Sequence, residues 1–161
     1  MEEEFCRPAT ITDLLNLIKS LNEKDAQYIL IGGYALYAHG IHRATEDIDL
    51  LVPANREAAR PIIEALMMLP DKTAKELEPE WFDEGENIRL ADEFVVDLIL
   101  STCQQTYDTL KKYSEIIEVD GIPITTLDIE GLLLTKQSMR DKDVMDRRSL
   151  EIILNRIKRT N

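Results

Sequence analysis

Two apolar rhythms run along the chain. Ile11, Leu14, Leu15 and Ile18 recur at spacings of three and four, the period of a helix with one buried face. Thr10 or Thr12 can cap that helix, which is expected to reach about residue 21. Short uninterrupted apolar runs mark the other rhythm: residues 28–31 read as a buried strand and 47–52 as a second, stopped by Pro53. Asn55 is placed to cap a helix to about residue 69, with Pro61 inside it as an expected kink or delayed start. Residues 70–86 lose both rhythms, are rich in acids, and are expected to form an irregular, mobile loop. Within it, Trp81 and Phe82 are read as packing on the core rather than on a base.

Strands are expected again at 87–90 and 94–100, joined by a tight turn at Ala91-Asp92-Glu93, followed by a helix at about 104–112. Residues 116–119 and 122–125 flank Asp120-Gly121, a dipeptide suited to a two-residue hairpin turn. Asp128 can cap a helix to about residue 139, and a last helix spans about 143–158. The pattern predicts an α/β (α+β) fold: a mixed β-sheet flanked by helices, with a helical C-terminal part. At 161 residues the chain suits one domain, with a core at about 10–126 and C-terminal helices at about 127–161.

Chemistry concentrates in residues 29–53, ILIGGYALYAHGIHRATEDIDLLVP. On a strand, residues two apart share a face, so Asp47 and Asp49 project together while Ile48 and Leu50 point away. Two ionised carboxylates this close repel each other, and a hard divalent cation such as Mg²⁺ removes that penalty. An isolated Asp-x-Asp is more often a solvated strand entrance, but Leu-Leu-Val directly behind these acids places them on a buried strand. Gly32-Gly33 ends the preceding strand and opens a short helix. Glycine there lets backbone N–H groups approach an anion, and the plainer reading is an ordinary strand-to-helix turn. A third acid, Asp97, sits in the apolar run Phe94-Val-Val-Asp97-Leu-Ile-Leu100, where an ionised group must be paired, hydrogen-bonded or on a metal. A nearby arginine or a shared metal would each satisfy it, and Asp47 with Asp49 tips the balance to the metal.

Around these acids, Arg43 is a candidate for pairing with them or with a phosphate, and Thr45 for bonding the turn that leads into the strand. His39 and His42 lack a ligand partner at metal spacing and read as surface-loop residues. Net charge is −12, which disfavours extended duplex binding. The charge is uneven: residues 136–161 hold 8 basic and 4 acidic side chains, against 11 basic and 27 acidic before them. Arg156, Lys158 and Arg159 read as cations offsetting a helix end. If the predicted helices are continuous, Lys136, Arg140, Asp143 and Arg147 share a face, either as a surface ion-pair ladder or as a positive arm over a triphosphate. Cys6 and Cys103 are too few for a disulfide framework and lack zinc spacing, the first residues are acidic where a targeting segment would be basic, and no apolar run reaches membrane length. A cytoplasmic protein is expected.

The order Gly32-Gly33, Asp47-Ile-Asp49, then Asp97 resembles the nucleotidyltransferase superfamily with the DNA-polymerase-beta-like fold, over roughly residues 27–100. The form Arg43-x-Thr45-x-Asp47-Ile-Asp49 resembles small bacterial and archaeal nucleotidyltransferases, including the minimal enzymes and the abortive-infection toxin group. A weaker echo is Lys136-Gln-Ser-Met-Arg140-Asp-Lys142-Asp143-Val-Met-Asp146. Gly33 stands where many relatives carry Ser. The resemblance implies metal-dependent transfer of a nucleoside monophosphate from a nucleoside triphosphate (ATP among them) to an acceptor hydroxyl on RNA or protein, in a toxin–antitoxin or stress system. Asp47, Asp49 and Asp97 are then the catalytic and metal-holding residues for two Mg²⁺ ions, with Mn²⁺ as a substitute. Gly32, Gly33, Arg43, Thr45 and Lys136 would bind the nucleotide. Two rivals stay open: modification of a small molecule such as an antibiotic, and a non-catalytic member that binds nucleotide or a partner protein.

Overall fold

The computed structural model describes residues 6–160. The acidic N-terminal run on which the absence of a targeting segment was argued lies outside them. Helix α1 (Ile11–Glu23) starts at Thr10, whose hydroxyl accepts from the Asp13 N–H while the Asp13 carboxylate accepts from the Thr10 N–H, so two orphan donors are met reciprocally. Its apolar stripe, Leu14, Leu15, Leu17, Ile18 and Leu21, is buried. Strand β1 (Ile29–Ile31) is wholly buried and runs into α2 (Gly32–Ala38). Strand β2 (Ile48–Leu51) pairs antiparallel with β1.

Helix α3 (Arg56–Leu66) is capped by Asn55, which accepts from the Ala58 N–H at 2.8 Å. It continues through Pro61 without a break, because its buried face (Ala58, Ala59, Ile62, Ala65, Leu66) outweighs one forgone hydrogen bond. Segment 70–86 is not the irregular loop expected. It forms a 3₁₀ turn (Thr73–Glu76) and a short helix α4 (Glu80–Asp83), with Ala74, Leu77 and Phe82 buried in the core. Its anchor is the buried Asp92, which accepts from the N–H groups of Asp71, Thr73 and Glu93 and from the Thr73 hydroxyl. Trp81 is 40% exposed, so only half of that aromatic pair packs as expected.

Strands β3 (Ile88–Ala91) and β4 (Val95–Ile99) form an antiparallel pair, with β4 parallel to β2. The helix expected at 104–112 is only α5 (Tyr107–Leu110), extended by a 3₁₀ turn. Strands β5 (Ser114–Val119) and β6 (Ile122–Leu127) make the hairpin, and Asp120 and Gly121 both take the positive φ that its tight turn demands. The sheet has six strands in the order β3-β4-β2-β1-β6-β5, with β1 and β6 parallel. Helix α6 (Ile129–Leu134) is capped by Asp128 but stops five residues short of the expected end. Helix α7 (Asp141–Thr160) then starts on a new axis. Arg147 clamps the break by donating to the carbonyls of Lys136 and Ser138. Lys136 and Arg140 therefore lie in the connection, and the four residues do not share one continuous helix face.

Candidate active site

The register of the sheet assembles the site. Ile31 pairs with Asp49, Asp49 with Asp97, and Asp97 with Arg89, across β1, β2, β4 and β3. Residues paired in register point to the same face, so Arg89, Asp97 and Asp49 stand in one row beside the end of β1. Ile48, Leu50, Val96 and Leu98 are fully buried on the other side of their strands. This is the alternation that lifts the carboxylates out of the core. Asp47 precedes β2 and joins the row at its edge.

At the end of β1, Gly32 adopts φ +75°, and a Cβ there would lie 2.3 Å from Asp49 Oδ2. No side chain fits, so the chain can turn against the carboxylate only as glycine. A Cβ on Gly33 would lie 2.5 Å from the Thr45 hydroxyl oxygen and 3.2 Å from Arg43 Nη1. Where many relatives place a serine, this chain sets the Thr45 side chain. No side chain caps the N–H groups at the start of α2.

Burial, then the charges of Asp97 and Asp47 and a hydrogen bond with Asp97, push the Asp49 carboxyl up to about 7, with Lys136 pulling the other way. Arg89 answers the remaining charge. Its Nε donates to Asp97 Oδ1 at 2.8 Å and its Nη2 to Asp97 Oδ2 at 3.0 Å, and Nη2 also reaches Asp47 Oδ2 at 3.3 Å. Of the partners that Asp97 needed on sequence grounds, the arginine is the one in place. It was not singled out beforehand, although its alternation with Ile88 and Leu90 is the signal that puts it on a strand face.

On the other side of the glycine turn lies a buried ion network. Arg43 donates to both oxygens of Asp146 at 2.9 Å, and Lys136 Nζ lies 3.2 Å from Asp146 and 3.9 Å from Asp143. Lys136 is thus no surface-ladder residue; its side chain is 8% exposed. Asp143, expected on a surface ladder, and Asp146, visible in the sequence only as part of a motif echo, are both buried. Arg140 is exposed and pairs with Asp143 at 3.4 Å. His39 follows α2 as its C-cap but is not at the surface: its side chain is 11% exposed, with Nε2 2.7 Å from the Leu127 carbonyl. His42 is exposed and stacks on Tyr37.

The donor set suits a hard divalent cation: three carboxylates, no thiol, and a glycine cradle against the most buried of them. Among the described residues, however, no three acid, imidazole or thiol side chains already converge as a metal cage. Asp97 and Asp47 are held by Arg89. Among the same residues, no helix is long and apolar enough to cross a membrane.

Comparison with known proteins bears on the fold and the family. A solved structure from Thermotoga maritima, assigned provisionally to the nucleotidyltransferases, superposes with a TM-score of 0.55 at 16% identity, covering 91% of this chain and 92% of that one. At that identity the likeness speaks for the fold alone. No curated protein matches by sequence. The family described as nucleotidyl transferase AbiEii toxin of type IV toxin–antitoxin systems matches residues 14–136. With most of its length so matched, and the six-stranded sheet carrying its acids in register, the chain belongs to the AbiEii family of nucleotidyltransferase toxins.

Proposed function

We propose that the enzyme transfers a nucleoside monophosphate from a nucleoside triphosphate to an acceptor hydroxyl on RNA or protein, acting in the cytoplasm as the toxin of a pair with a protein antitoxin. The observation that carries this reading is the in-register row of Asp49 and Asp97 against the Gly32 turn. Asp47 and Asp49 would hold one divalent cation on the triphosphate, and Asp97 would share a second. Bound there, Mg²⁺ ions (or Mn²⁺) supply charge neutralisation at the α-phosphorus and the departing pyrophosphate. Asp97 would help take the acceptor's proton once its pairing with Arg89 is released. The N–H groups of Gly32 and Gly33 would hold terminal phosphates. Thr45 lies against that turn as a hydroxyl donor. Arg43 and Lys136 set positive charge beside it, both oriented by Asp146.

A second reading is favoured by one observation, the charge of −12. An acidic body attracts a cationic small-molecule acceptor, such as an aminoglycoside, better than it attracts RNA. The test is incubation with each labelled nucleoside triphosphate and Mg²⁺, offering tRNA, protein and aminoglycosides in parallel. Label is expected on one acceptor class, with pyrophosphate released, and loss of transfer by at least a hundredfold in Asp47→Ala and Asp49→Ala. Full activity in either variant would remove the carboxylates from the mechanism. Nucleotide binding with no pyrophosphate from any acceptor would instead point to a member acting by binding alone.

A further inference from the structure

We propose that Arg89 is a built-in counter-cation of the carboxylate row, competing with the divalent metal for Asp97 and Asp47, so that metal entry requires its guanidinium to swing away. The inference rests on the reading of these acids as metal ligands and concerns what controls their loading.

Geometry is the first argument. Arg89 and Asp97 are directly paired residues on adjacent antiparallel strands, so their side chains stand side by side whatever else is bound. The guanidinium takes both oxygens of Asp97, and the nitrogen bound to Asp97 Oδ2 also reaches Asp47. A fork that fits a carboxylate in this bidentate way occupies the same lone pairs a cation would use. One group thereby engages two of the three acids. Charge is the second argument. Arginine keeps its proton at any working pH, so the guanidinium stays a competitor wherever Asp97 and Asp47 are ionised. The guanidinium brings one positive charge to Asp97 and Asp47 together, and a divalent ion offers twice as much. Mobility is the third. Strand β3 is an edge of the sheet, and the Arg89 side chain is 44% exposed. It can turn into water without opening the core. Lys136, the other cation that Asp49 feels, cannot do so, because Asp146 and Asp143 hold it and it is buried.

The consequence is a loading threshold. Metal arriving alone must displace Arg89, whereas metal arriving on a triphosphate brings phosphate oxygens that can receive the guanidinium. The test is calorimetric titration of the full chain with Mn²⁺ at pH 8, without nucleotide, for wild type, Arg89→Gln, Arg89→Lys and Asp49→Asn. Removal of the fork should tighten Mn²⁺ binding about tenfold in Arg89→Gln, the amount expected for freeing a charge-assisted pair. Arg89→Lys keeps the charge without the fork and should fall between Arg89→Gln and wild type. Asp49→Asn should weaken binding at least tenfold. If Asp49→Asn weakens binding and Arg89→Gln binds no tighter than wild type, Arg89 supports the site rather than competing, and the inference fails while the metal reading stands. If Mn²⁺ binding is indifferent to Asp49→Asn, or is absent from wild type and Arg89→Gln alike, the metal reading fails and takes the inference with it. The Arg89–Asp97 pair is partly exposed and contributes little to stability, so Arg89→Gln is expected to fold, as a melt within a few degrees of wild type would establish.

Discussion

Asp49 is under opposing demands. Its carboxyl is pushed up to about 7 by burial first and by Asp97 and Asp47 next, from an ordinary value of 3.8. Between those values the folded chain holds a proton that the unfolded chain has lost. The associated stability is fully present below pH 3.8 and is lost as pH rises through about 7. Replacing Asp49 by Asn removes the titration. In chelator, Asp49→Asn should melt about 4 °C or more above wild type at pH 8, with the gain vanishing towards pH 4. Melting curves of both proteins across that range check it, and a gap that does not change with pH would mean that Asp49 ionises like a surface acid. Metal binding needs the ionised form, so it should strengthen as pH rises through 7. The three acids were legible in the sequence because strand alternation is a local property, and alternation alone brings Asp47 and Asp49 to one face. Arg89 was not, because its meaning depends on a strand register that no local pattern encodes. The role of Asp146 was hidden for the same reason: its partner Arg43 lies about a hundred residues earlier.

At the scale of elements, helices and strands with strong periodicity and caps were readable: Thr10, Asn55 and Asp128 cap the helices expected of them. Segment 70–86 was not readable, because its order comes from one buried side chain downstream. Burial acts to raise the Asp92 carboxyl, and its hydrogen bonds from Thr73, Asp71 and Glu93 outweigh that and hold it below the usual 3.8. Asp92→Ala leaves those backbone donors without their acceptor and should cost about 2–3 kcal/mol, the desolvation penalty of stranded buried polar groups. Because this segment carries Phe82 into the core, the loss should be local first. Hydrogen exchange should quicken at Asp71 and Thr73 and across α4 in the variant while α1 keeps its protection. Uniform loss of protection would show instead that the segment folds and unfolds only with the whole chain. Termination of α6 at Leu134 was equally out of reach, since Arg147, thirteen residues further on, stabilises the break.

Across the whole molecule, the acidic body and the basic C-terminal helix meet at one buried network. Helix α7 inserts Asp143, Asp146 and Leu150 towards the core, and among the described residues these are its buried positions. Asp146 accepts from Arg43 twice and forms an ion pair with Lys136, so it ties α7 both to the glycine-turn segment and to the end of α6. The buried charges balance, with Arg43 and Lys136 facing Asp143 and Asp146, and the exposed Arg140 adds a partner for Asp143. Asp146→Asn upsets that balance by leaving Lys136 and Arg43 with one carboxylate at 3.9 Å from the lysine. Breaking a buried pair from one side costs about 3–5 kcal/mol, because the surviving charge stays desolvated. At 161 residues that corresponds to a drop of roughly 6–20 °C in melting temperature. The charge left over sits beside Asp49, where Lys136 already favours the ionised form. The loss of stability should therefore shrink when Lys136→Met is added, since the double variant no longer buries an unmatched ammonium. A double-mutant cycle on Lys136 and Asp146, read by thermal or denaturant unfolding, measures this directly, with a coupling of about 1–3 kcal/mol expected. Strict additivity of the two substitutions would mean that α7 is held by Leu150 and its apolar neighbours alone, and that the ion network sets the position of Lys136 without fastening the helix.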